Sequence, residues 1–139
     1  MLVLDANILI RAILGNRVRS LLTRYGGRVR FFAPESAFEE ARDHLPEILG
    51  RRGIPLGPAL EILDSLNQLV QPVSLENYRS FEQDARERMR GRDEEDWPIL
   101  ATALALDCAI WTEDADFFGA GVATWTTDRV ELFLAQSSR

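Results

Sequence analysis

A chain of 139 residues with 46% apolar side chains and a net charge of −6 is one domain's worth of sequence, long enough to bury roughly two-thirds of its unfolded surface. No apolar run reaches the ~18 residues of a membrane span, and the acidic balance argues against a broad nonspecific grip on nucleic acid. The single cysteine, Cys108, excludes a disulfide framework and fits a reducing cytoplasm.

Met1-Leu2-Val3-Leu4-Asp5 does not read as a signal peptide, so the expectation is a cytoplasmic protein. Cys108 falls in an expected buried strand with no basic neighbour in sequence, and reads as core packing. All sixteen cationic residues are arginines. They cluster at Arg17, Arg19, Arg24, Arg28 and Arg30, and again at Arg86, Arg88, Arg90 and Arg92. Solvated helix faces and strand edges are the plain reading of both clusters. Part of the negative charge belongs to a different category if a site on the chain holds a cation.

In chain order, Leu2-Val3-Leu4 reads as a central parallel strand. Asn7 is the expected N-cap of a helix carrying Ile8, Leu9, Ile10, Ile13 and Leu14, which Gly15-Asn16 interrupts. A second helix runs from about Arg17 to Tyr25, closed by Gly26-Gly27. Val29 to Ala33 is a strand, and Pro34 opens a helix to Leu49 with Phe38, Ala41, Leu45 and Ile48 at helical spacing. Gly50 to Pro58 reads as a loop, Ala59 to Val70 as an amphipathic helix, and Pro72-Val73 as a short extended link. Ser74 is the expected cap of a long charged helix to Met89, ended by Gly91.

The run from Asp93 to Thr127 is the densest in the chain. Trp97-Pro98 starts a helix, and Ile99 to Leu106 is almost wholly apolar, so this helix is buried on most sides. Cys108 to Thr112 is a buried strand, followed at once by Glu113-Asp114-Ala115-Asp116 and by Phe117-Phe118, both expected to be buried. Val122 to Thr126 is the last strand, Thr127-Asp128 caps a final helix, and Ser137-Ser138-Arg139 should fray. No repeat or linker interrupts the alternation of strands and helices. The expected fold is a single α/β domain over residues 1–139, a three-layer α/β/α sandwich with a mainly parallel central sheet.

Several acids fall at the carboxyl edge of that sheet, where open α/β folds bind ligands. Asp5 follows the first strand. Glu35, Glu39 and Glu40 lie on the helix after the second. At ~100° per residue, Glu40 sits nearer the apolar stripe than Glu39 and can look into a cleft; Glu39 is the alternative. His44, the only histidine, reads as a surface position. Asp96 heads the apolar helix, with Asp93 its nearest competitor, and Asp114 and Asp116 follow the buried strand. The helix runs back along the strand, so Asp96 and Asp114 should meet at one edge.

Two like charges ~4 Å apart repel by roughly 4 kcal/mol at an effective dielectric near 20. Asp5, Glu40, Asp96 and Asp114 gathered together therefore share protons or hold a hard cation. An all-oxygen set without His or Cys suits Mg²⁺ or Mn²⁺ over Zn²⁺, and a carboxylate-held ion of that kind most often handles phosphates.

These residues carry a family resemblance. LVLDANILI at Leu2–Ile10, the helix bearing Glu40, DWPILATAL at Asp96–Leu104 and IWTEDADFFG at Ile110–Gly119, in this order and spacing, resemble the PIN domain. That family includes the VapC-type toxins of prokaryotic toxin–antitoxin pairs, and the WTT run at Trp125 is similar to a prokaryotic subgroup. The resemblance implies a metal-dependent ribonuclease using Mg²⁺ or Mn²⁺. Its catalytic acids would be Asp5, Glu40, Asp96 and Asp114, with Asp5, Asp96, Asp114 and Asp116 toward the metal. Asn7, Thr112 and Glu39 would support them, Thr112 by orienting a carboxylate or water. It further implies an RNA substrate, an antitoxin protein as candidate partner, and a homodimer. The alternative is a catalytically silent PIN-like protein acting through a protein partner. A haloacid-type phosphatase is disfavoured, because the second aspartate that mechanism requires after Asp5 is replaced by Asn7.

Overall fold

The computed structural model describes residues 1–137. Its centre is a five-stranded sheet, all parallel, in the order β3-β2-β1-β4-β5. β1 is Leu2–Leu4, β2 Phe31–Pro34, β3 Val70–Val73, β4 Ala109–Trp111 and β5 Thr124–Trp125. Eight helices surround it among the described residues: α1 (Ala6–Leu14), α2 (Arg17–Tyr25), α3 (Glu35–Arg52), α4 (Leu56–Ser65), α5 (Leu75–Tyr78), α6 (Glu82–Arg88), α7 (Trp97–Leu106) and α8 (Val130–Ser137). Parallel neighbours need right-handed crossovers. The steps from β1 to β2 to β3 move one way along the sheet and the step from β3 to β4 moves the other, so their helices cover opposite faces. α1, α2, α3 and α4 pack on one another, and α5 and α6 pack on α7. The result is the expected three-layer α/β/α fold.

The three central strands are buried on both faces. Every residue of β1, β2 and β4 is buried, and one continuous core joins them to Ile8, Leu9, Leu45, Leu100 and Leu134. α7 is the most apolar helix and packs against β1, β2 and β4, with Ile99 to Ala103 all buried.

Several elements depart from the sequence reading. Asp5, not Asn7, caps α1; Asn7 lies in the first helical turn, exposed. α3 continues past Gly50 to Arg52, where Gly53 at φ +65° closes it in the left-handed conformation favoured by glycine. The expected loop to Pro58 thereby shrinks, and α4 starts at Leu56. α4 ends at Ser65, and Val70, expected to finish it, instead begins β3. Pro72, read as part of a link, sits in that strand. β3 is an edge, paired only with β2, and edge strands are where a sheet tolerates proline. The long charged helix from Ser74 is broken into α5 and α6 by a 3-10 turn at Arg79–Phe81, next to Tyr78, which packs edge-on to Trp97 at 5.7 Å.

Phe117 is buried but Phe118 is exposed, and Cys108 is half-exposed before β4, packed against the core. Burial pushes its thiol up to about 11. Ser138 and Arg139 lie outside the described residues, and Ser137 is the last residue of α8. Four arginines of the two clusters serve surface ion pairs: Arg17 and Arg24 with Glu131, Arg86 with Glu82, and Arg88 with Asp84. No described helix is long and apolar enough to cross a membrane.

Because α7 supports three strands at once, Leu100→Ala should cost about 2–5 kcal/mol in urea unfolding, as truncating a fully buried leucine does. A loss under about 1 kcal/mol would show that α7 is not the central support.

Candidate active site at the carboxyl edge

The sheet order reverses between β1 and β4, and that switch point is where open α/β sheets bind ligands. The register there is Leu2↔Ala109, Val3↔Ile110 and Leu4↔Trp111. The next residue of each strand, Asp5 and Thr112, therefore emerges beside the other. The Thr112 hydroxyl donates to Asp5 Oδ2, and the Ile8 N–H donates to Asp5 Oδ1 at 3.0 Å. One buried carboxylate thus caps α1 with one oxygen and ties β1 to β4 with the other. Thr112 Oγ1 also accepts the N–H of Asp114 at 2.9 Å. Asp114 in turn caps a short 3-10 turn at Ala115–Phe117, accepting from the Asp116 N–H at 2.9 Å.

The other two acids arrive from helices. β2 ends at Pro34 and α3 begins at once, which puts Glu40 in its second turn. α7 starts at the same edge, with Asp96 at its N-cap position making no side-chain capping bond. A 3-10 turn, Glu94–Asp96, leads into it and is capped by Asp93, whose Oδ1 accepts from the Glu95 N–H.

Their electrostatics show that these groups feel one another's charge. Asp5 is pushed up from 3.8 to about 6, by burial first and then by the charges of Asp114 and Glu40, against the pull of its two hydrogen bonds. Asp96 is pushed up from 3.8 to about 7, again by burial first, then by the charges of Asp93, Asp114 and Glu40, and by a hydrogen bond shared with Asp114. Four segments distant in sequence thus supply Asp5, Glu40, Asp96 and Asp114 to one field.

Glu40 acts on both Asp5 and Asp96. Glu39 is exposed and lines a separate cavity with Phe38, Arg42, Asp64 and Pro72. Asp116 is placed by its backbone, its N–H on Asp114 and its carbonyl on Arg92. Asn7 and His44 are exposed. Glu113 turns away, its Oε1 accepting from the Thr127 N–H at 2.7 Å.

Sequence reasoning missed Arg92. Its Nη1 donates to the carbonyls of Asp116 (2.7 Å) and Phe118 (2.5 Å), stapling the turn after Asp114 to the segment that leads to Asp96. The available signal was glycine. Gly91 and Gly119 both adopt positive φ, and a Cβ on Gly119 would lie 3.2 Å from the Arg92 guanidinium.

Among the described residues, no three carboxylate, imidazole or thiol groups are drawn into a ready-made ion cage. The acids perturb one another's ionisation without being packed as ligands. As chemistry the donor set fits a hard divalent cation: it is all oxygen, and its raised acids mark negative charge that is short of counter-charge.

A family model of the PIN domain matches residues 3–135, and the chain belongs to the PIN domain family. PIN domains are generally nucleases that use divalent metal ions, so the coarse assignment of this chain is hydrolysis of nucleic acid. No curated protein matches it.

The raised acids fix a sign. The folded state holds protons that the unfolded state has released, so without metal these groups lower stability as pH rises. The effect is absent below about pH 4 and complete above about pH 7, the interval between 3.8 and the folded value of Asp96. In EDTA, Asp96→Asn should melt above wild type at pH 8, with the gap closing by pH 4. A gap that is the same at both pH values would contradict the coupling.

Proposed function

We propose that the protein is an Mg²⁺- or Mn²⁺-dependent endoribonuclease that hydrolyses RNA phosphodiester bonds. The observation that carries the reading is the convergence of Asp5, Glu40, Asp96 and Asp114 at the switch point of the sheet, two of them with raised pKa values. Asp5, Asp96 and Asp114 would hold the ion, with Asp116 a further contributor and Glu40 across the cleft. The chemistry such an ion supplies is activation of water and neutralisation of charge on the phosphodiester oxygens.

The chain's own groups set the geometry. Thr112 and the Ile8 N–H fix both oxygens of Asp5, and Thr112 also positions Asp114. The sole histidine, His44, is exposed on α3, so proton handling falls to the carboxylates. Attack of water on phosphorus with loss of the 3′-oxygen leaves a 5′-phosphate and a 3′-hydroxyl. The toxin role, the antitoxin partner, the homodimer and the cytoplasmic setting belong to the proposal through the family resemblance.

Asp5→Asn and Asp114→Asn should each lower Mn²⁺-dependent cleavage of single-stranded RNA by roughly a hundredfold or more while the proteins still melt cooperatively. Asp5→Asn with full metal-dependent cleavage would sink the assignment.

A further inference from the structure

The chain has seven Phe, three Trp and two Tyr. Phe118 alone is exposed, at 44%, and every other aromatic is buried or half-buried. A single exposed apolar side chain is ordinary on a protein surface. Two features set this one apart.

The first is its place. Phe118 closes the 3-10 turn that Asp114 caps, its N–H donating to the Ala115 carbonyl at 3.0 Å. At ~2 Å of rise per residue, one turn of chain separates the ring's backbone from the acidic edge. Phe117, next to it, is 1% exposed and anchors the turn in the core.

The second is its rigidity. Arg92 Nη1 binds the carbonyls of both Asp116 and Phe118. Gly119 turns the chain immediately afterwards at φ +83° and leaves room for that guanidinium. Arg88 Nη1 holds the Ala120 carbonyl at 3.0 Å. The backbone on either side of the ring is therefore fixed before any ligand arrives, which reduces the ordering cost of binding.

Resting on the nuclease reading, we propose that Phe118 is a stacking platform for one unpaired nucleobase of the substrate, beside the phosphodiester held at the carboxylates. An aromatic face takes any base, so the platform selects single-stranded over duplex nucleic acid rather than a sequence. In a duplex both faces of each base are already stacked, and the ring gains nothing.

The test is anisotropy of a labelled single-stranded oligoribonucleotide and of its duplex, with Ca²⁺ as the ion. Wild type, Phe118→Leu and Phe118→Trp are compared. Wild type should favour the single strand, Phe118→Leu should weaken that binding by about tenfold, and Phe118→Trp should keep it. Duplex binding and the melting midpoint should not move. One abasic position in the oligonucleotide should weaken wild type by the same factor and leave Phe118→Leu unaffected.

Single-strand binding by Phe118→Leu equal to wild type would overturn the platform and leave the nuclease reading standing. So would independent, additive effects of substitution and abasic site at every position. If Phe118→Leu changed self-association in sedimentation and not oligonucleotide binding, the ring would belong to a contact between copies, and the platform would fall. Wild type that binds no oligonucleotide at all would remove the nuclease reading, and the platform with it.

Discussion

Asp5 is buried at 6% exposure with a raised pKa, and the architecture around the site depends on where its two oxygens go. One ends α1 and the other receives the hydroxyl of Thr112 from the neighbouring strand. Without that pair of bonds a charged group at the end of a buried strand would stand uncompensated. With them, β1, α1, β4 and the turn at Asp114 form one hydrogen-bonded unit. The raised pKa shows that compensation is incomplete. The residue that organises the fold is thereby left short of positive charge.

Arg92 offsets the opposite tendency. Asp96 and Asp114 repel, yet the loop after Asp114 is bound to the segment before Asp96 through the carbonyls of Asp116 and Phe118. A guanidinium supplies fixed donors in a fork, so it can hold the main chain there without neutralising a carboxylate. Fold stability and site geometry share these contacts, and the acids at the edge are held together at the expense of stability elsewhere.

Much of this was legible in the sequence. Asp5 after Leu2–Leu4, and Asp96 ahead of the most apolar helix, could be placed at one edge from strand–helix alternation alone. The preference for Glu40 over Glu39 followed from helix phase; both are exposed, and of the two only Glu40 adds its charge to Asp5 and Asp96. Other features were hidden by competing signals. Two residues able to cap, Asp5 and Asn7, stand two positions apart, and it is Asp5 that reaches the Ile8 N–H. β3 was obscured because proline ordinarily argues against a strand, and only its edge position permits Pro72. Phe118 was expected in the core, since sequence cannot tell which of two adjacent phenylalanines the turn buries. Arg92 had no pattern of its own, because its partners are carbonyls, which every residue has.

Calorimetric titration of Mn²⁺ into wild type and Asp96→Asn tests the central claim most directly, that acids from four segments form one site for a cation. Binding by wild type that weakens at least tenfold in Asp96→Asn is the predicted result. Equal affinity in the two proteins, or no binding by wild type at millimolar Mn²⁺, would contradict it.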